Sequence, residues 1–112
     1  MNIYHVWCNL KETRRDLEFV ENLRAYMEYL MKSGEMAAWR VTRRKLGFGP
    51  AELGEFHITM EFKTLAELER AFGDVATRVG EVEELHRKVF AMTTDFKSGL
   101  TRDFPDPERV LK

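Results

Sequence analysis

Residues 56–62 read Phe56-His57-Ile58-Thr59-Met60-Glu61-Phe62, a strict alternation of apolar and polar side chains. A period of two marks a β-strand with one buried face, because successive side chains leave an extended backbone on opposite sides. Phe56, Ile58, Met60 and Phe62 then take the covered face, and His57, Thr59 and Glu61 take the other. Immediately upstream, Gly47, Gly49, Pro50 and Gly54 punctuate a loop. Before that loop, residues 37–46 predict a second strand, with Trp39 and Val41 on one face and Arg40, Thr42 and Arg44 on the other. Together they make a hairpin with a glycine-rich tip. Gly47-Phe48-Gly49-Pro50 is no phosphate loop, since no helix follows it to supply an N-terminal dipole.

Further out, residues 3–10 alternate in the same way, with Tyr4, Val6, Cys8 and Leu10 opposed to Ile3, His5, Trp7 and Asn9. Between these strands, Phe19, Val20, Leu23, Tyr26, Met27, Leu30 and Met31 recur every three or four residues, which predicts an amphipathic helix over 17–32. Thr13 or Asp16 is expected to cap it, and Ser33-Gly34 to end it. After the hairpin, Thr64-Leu65-Ala66-Glu67 is a capping box that opens a second helix. Its expected buried stripe is Leu65, Leu68, Ala71, Phe72, Val75 and Val79. Gly80 interrupts the pattern, and Val82, Leu85 and Val89 extend it, with His86 expected on the helix surface. A last strand is expected over 95–103, with Phe96 and Leu100 inward.

The order is strand, helix, strand, strand, helix with an extension, strand. This is the α+β, ferredoxin-like βαββαβ arrangement. It closes as a four-stranded antiparallel sheet with two main helices on one face and the first and third strands in the centre. A chain of 112 residues is expected to form one domain over 1–112. A formal net charge of −1 gives a nucleic-acid partner no electrostatic support. The one cysteine, Cys8, allows no intrachain disulfide and alternates into the core, where it is expected to be inert. No basic-then-apolar leader and no apolar run of about 20 residues is present, so a soluble, cytoplasmic protein without a membrane partner is expected.

Helices cover only one face of such a sheet. The uncovered face then carries His5, Trp7, Asn9, Arg40, Thr42, Arg44, His57, Thr59 and Glu61. Unpaired arginines and a carboxylate do not suit a dry core, and a tryptophan is not required by a face left open to water. A wet enclosed cavity closed by the sheet of a second copy suits both. His5 and His57 fall within about 8 Å of each other on neighbouring strands and are the expected acid/base pair. Arg40 and Arg44 can clamp an anionic group, and Trp7 can stack on a planar one. Asn9, Thr42, Thr59 and Glu61 complete the expected ligand-binding set. His5, His57 and Glu61 also make up a two-histidine, one-carboxylate set, but no spacing motif supports a metal, and neither a metal nor a cofactor is expected. The Arg43-Arg44-Lys45 run reads as a solvated strand end.

Tyr4-His5-Val6-Trp7-Cys8, Trp39 to Gly47, Glu55-Phe56-His57-Ile58 and Arg102-Asp103-Phe104-Pro105-Asp106-Pro107 resemble a small bacterial family of unknown function within the dimeric α/β-barrel superfamily. That resemblance implies a homodimer whose sheets pack face to face; the charged, proline-bearing segment of Asp103, Pro105, Asp106 and Pro107 is expected to form an arm across that dimer. It also implies that a helix-borne histidine such as His86 can lean over a cavity mouth. The superfamily includes cofactor-independent monooxygenases, isomerases and stress-responsive proteins. The expected functions are therefore a small-molecule enzyme, by cofactor-independent oxygenation or isomerisation, or a non-catalytic binding module.

Overall fold

In a computed structural model, whose described residues are 1–77 and 80–111, the chain forms one sheet with helices on one face. Strand β1 runs Asn2–Leu10, helix α1 Asp16–Lys32, β2 Ala38–Arg43, β3 Phe56–Phe62, α2 Leu65–Ala76, α3 Gly80–Phe90 and β4 Thr93–Arg102. The sheet order is β2-β3-β1-β4 with every pair antiparallel, so the first and third strands are central as the alternation requires. Among the described residues no helix is long and apolar enough to cross a membrane.

The core is the apolar row of β1 and β3 packed under α1 and α3. Cys8, Phe19, Met27 and Phe62 are fully buried in it. Asn2 fastens the sheet at one end, donating to the carbonyls of Phe62 and Lys63 and accepting from Arg102 Nε. Gly34 closes α1 at φ +80, a conformation that glycine adopts without steric cost.

Several local expectations are corrected. A single 3₁₀ turn, Thr13–Arg15, precedes α1, so neither Thr13 nor Asp16 stands at the N-cap. Asp16 is the helix's first residue; it accepts from the Leu17 N–H and pairs with Arg43 at 2.9 Å. Strand β2 stops at Arg43, because Leu46 and Gly47 turn into left-handed conformations at φ 56 and 72 and start the tip. Arg43 and Arg44 are not idle solvated charges. Arg43 lies over the Phe56 ring and bridges Asp16 and Glu55. The extension after α2 is a separate helix, α3.

Strand β4 begins at Thr93, two residues earlier than its pattern predicts. The register with β1 shifts between Trp7 and Asn9, and Asp95 sits in the bulge at φ 56. Asp95 tolerates that backbone and accepts a hydrogen bond from Asn9. Phe96 and Leu100 do lie on the helix side of the sheet, but they are exposed, because β4 is an edge strand that the helices cover only at its start. In the predicted stripe of α2, Ala71 is buried, Leu68 and Val75 are half-buried, and Leu65 and Phe72 are exposed. Val79 lies outside the described residues. The stripe is looser than its periodicity suggests because α2 faces a cavity.

Candidate functional site

The alternation places two different arrangements on the two faces of the sheet. On the uncovered face the register builds a lattice of side chains. Glu61, Ile3 and Thr101 share one level, with Ala38 beside Glu61. Arg40, Thr59, His5 and Gly99 share the next, and Thr42, His57, Trp7 and Lys97 the one after. His5 and His57 are therefore diagonal neighbours. Their Nδ1 and Nε2 atoms meet at 2.9 Å, while His5 Nε2 lies 2.8 Å from Thr101 Oγ1. The two imidazoles are almost parallel, at 13°, and join edge to edge as one flat unit. Trp7 lies nearly parallel to both, with ring centres 5.3 and 4.7 Å away. Gly99 lies beside the indole, where an added Cβ would sit in ordinary contact with Trp7 at 3.6 Å.

The remaining expected residues separate by role. Asn9 ties strands together: its Oδ1 accepts from the Glu55 N–H and its Nδ2 donates to Asp95. Arg44 donates to the carbonyls of Pro50 and Leu53 and holds the hairpin loop, so it does not point at the histidines. Arg40, Thr42, Thr59 and Glu61 stand on the face around the three rings. Among the described residues no three His, Cys, Asp or Glu side chains converge in a way that could hold a metal ion, so His5, His57 and Glu61 do not assemble the two-histidine, one-carboxylate set.

Burial, with the His5 charge second, holds the His57 imidazole below its ordinary 6.5. The unfolded chain takes up this proton near 6.5, whereas the folded chain resists it until lower pH. The group's contribution to stability is therefore complete above pH 6.5 and is lost as pH falls through the folded pKa. Thermal melting is expected to decline more steeply between pH 7 and pH 5 for the wild type than for His57→Gln. Glu35, pushed up by burial and by Asp74, titrates in both proteins and cancels in the difference. Identical slopes would show that the pair is not coupled to folding.

The other face holds a cavity of about 400 Å³ between the helices and the sheet. Its floor is Tyr4, Val6, Ile58 and Met60, and its walls come from Met27 and Leu30 of α1, Ala71 and Val75 of α2 and Val89 of α3. Phe72, Phe90 and Phe96 line it and are also exposed, so they mark its mouth between α2, the end of α3 and β4. The rings continue inward: Phe96 meets Phe90 at 5.0 Å, Phe90 meets His86 at 4.6 Å, and His86 meets Tyr26 edge-on at 5.6 Å. His86 thus lines the cavity and does not lie on the outer surface of its helix, because the face of α3 that bears it turns toward Tyr26 of α1.

Few polar groups reach this space. Burial, reinforced by Tyr4 and Glu83, pushes the Tyr26 phenol well above its ordinary range, which keeps it a hydrogen-bond donor. Burial likewise pushes the Cys8 thiol up to about 11, so it is no nucleophile at neutral pH. Tyr4, Tyr26 and Phe72 are not legible as site residues in the sequence, and His86 is legible there only through the family resemblance. An inward aromatic at strand or helical spacing has the same pattern whether it meets packed atoms or a void.

Solved structures share this architecture. SnoaB, a cofactor-independent oxygenase from Streptomyces nogalater, superposes with a TM-score of 0.70 at 8% identity, over 96% of this chain and 97% of its own. A conserved protein from Methanosarcina mazei Go1 gives 0.62 at 15% identity, over 91% of this chain and 92% of its own. An antibiotic biosynthesis monooxygenase gives 0.59 at 15% identity, over 94% of this chain and 100% of its own. At such identities the likeness establishes the fold alone, a ferredoxin-like α+β arrangement with a four-stranded antiparallel sheet. No curated protein matches the chain. A family model does match it, over residues 1–112, and the chain belongs to that family, the family of unknown function DUF6614.

Proposed function

We propose that the chain is one subunit of a homodimer that binds a small, planar, largely apolar molecule between its helices and its sheet and oxygenates it without a cofactor. The carrying observation is the 400 Å³ cavity lined by Tyr4, Tyr26, Phe72, His86, Phe90 and Phe96. Its volume falls in the usual range for ligand sites, and since one benzene ring occupies a void of roughly 150 Å³, it takes two or three fused rings. This moves the reaction site from the uncovered face, where alternation suggested His5 and His57, to the covered one. The uncovered face is then the pairing surface.

The cavity's groups divide the work simply. Tyr26 donates a hydrogen bond to an oxygen of the ligand, the Phe72, Phe90 and Phe96 rings exclude water, and His86 takes a proton from an acidic C–H or O–H of the substrate. An electron-rich carbanion or phenolate so formed supplies its own electrons to dioxygen. For a methylene carbon the balance is R₂CH₂ + O₂ → R₂C=O + H₂O, with one oxygen atom kept and the other leaving as water. The near-absence of ionisable groups favours a second reading, that the cavity only carries its ligand.

Planar naphthols and hydroxylated tricyclic ketones are the probes. Saturable quenching of tryptophan fluorescence, with dioxygen consumption that is lost in His86→Gln while binding remains, is the expected result. Binding without dioxygen uptake would establish the carrier reading, and the absence of any saturable binding would remove both.

A further inference from the structure

We infer that Arg40 and Glu61 form two reciprocal ion pairs across a two-fold interface between copies of this chain, a refinement that rests on the homodimer proposed above. Both residues lie on the uncovered face of adjacent strands, one diagonal step apart: Arg40 is opposite Thr59, and Glu61 is opposite Ala38. The other strand cations, and Arg44 just after β2, are engaged. Arg43 bridges Asp16 and Glu55, Arg44 and Lys97 hold loop carbonyls, and Arg102 binds Asn2. The side chains of Arg40 and Glu61 have no hydrogen-bond or ion-pair partner among the described residues, and they do not pair with each other despite their proximity.

The register makes this arrangement self-complementary. Face-to-face packing of two identical sheets needs a dyad lying in the interface plane, and in such an isologous contact each pair occurs twice. On a flat lattice of about 4.8 Å between strands and about 6.7 Å between same-face residues, the dyad that places Arg40 over the partner's Glu61 bisects the line joining them. It runs obliquely across the sheet and passes beside His5, at the middle of the face. It sets the two strand directions at roughly 110°, near the orthogonal class of sheet packing. The same operation therefore brings the His5–His57–Trp7 rings to the centre of the contact and leaves the charges around them. Aromatic centre and charged rim is the usual anatomy of a protein interface. The occupant this charge pattern fits is a second copy.

Charge reversal tests it. Arg40→Glu leaves two acidic residues at these positions and Glu61→Arg leaves two basic ones, so each homodimer meets like charges twice. The dimer dissociation constant, from sedimentation at low salt, is expected to rise at least tenfold in each variant. An equimolar mixture restores both opposite-charge pairs and is expected to form a heterodimer with close to wild-type affinity. An ion pair within one chain cannot be repaired by mixing, so failure of the mixture to associate overturns the inference. So do reversals that leave a dimeric wild type unaffected. A wild type that stays monomeric at every accessible concentration removes the homodimer itself. Should a reversal fail to fold, Arg40→Gln and Glu61→Gln carry the test, with weakened and less salt-sensitive dimerisation expected and unchanged affinity overturning it.

Discussion

Ala71→Phe is expected to abolish ligand binding, lowering affinity at least about 100-fold, or ~2.7 kcal/mol, while leaving the fold intact. Ala71 is 1% exposed and forms part of the cavity wall from α2. A phenyl ring there has one place to go, into the void between α2 and the sheet. A ring takes roughly 150 Å³ of such a void, more than a third of what a ligand has available. The substitution also recovers contacts that the empty space denies its lining, which opposes the modest loss of helix propensity. The melting temperature should therefore hold or rise as titration with the naphthol probes goes flat. Unchanged affinity in a folded Ala71→Phe protein would mean that ligands bind elsewhere.

Gly54→Ala is expected to cost about 3 kcal/mol or more, a large part of the 5–15 kcal/mol that typically holds a domain together. Gly54 is buried where the hairpin loop crosses β1. A Cβ at this position would lie 2.3 Å from the Cys8 carbonyl carbon and 2.4 Å from its oxygen. These are backbone atoms of a central strand, so they cannot rotate away. The loop must lift instead, which strains the hydrogen bond from the Glu55 N–H to Asn9 and the approach to β3. Gly73→Ala is the matched control. It lies within α2 with nothing inside 4 Å of its added carbon, and alanine is the better helix former by up to about 1 kcal/mol. Urea denaturation of both variants should show opposite signs. A Gly54→Ala protein as stable as the wild type would mean that the loop is not seated on β1.

The strand pattern carried a good deal of the site's geometry. Because side chains alternate strictly, His5, Trp7, His57, Arg40 and Glu61 had to share a face once the helices claimed the other. The antiparallel pairing of β1 and β3 made His5 and His57 neighbours. Their 2.9 Å contact comes with a further one that β4 supplies, from His5 Nε2 to Thr101 Oγ1, and neither distance follows from alternation alone. The fate of Arg44 was not legible either. A strand-end arginine on the polar face looks free until the loop that follows folds back and offers it the carbonyls of Pro50 and Leu53.

By itself, then, the sequence determined the order of the elements, the central placement of β1 and β3, and the division of side chains between faces. These follow from local periodicity and from the few ways such elements can pack. The tertiary structure decided that the covered face is not solid, that His86 turns inward to Tyr26, and that Asp95 takes up a bulge in β4. Each depends on how far apart segments distant in the chain come to rest. An apolar stripe specifies that a helix faces the sheet, but the gap between them is set by the packing of all three helices at once.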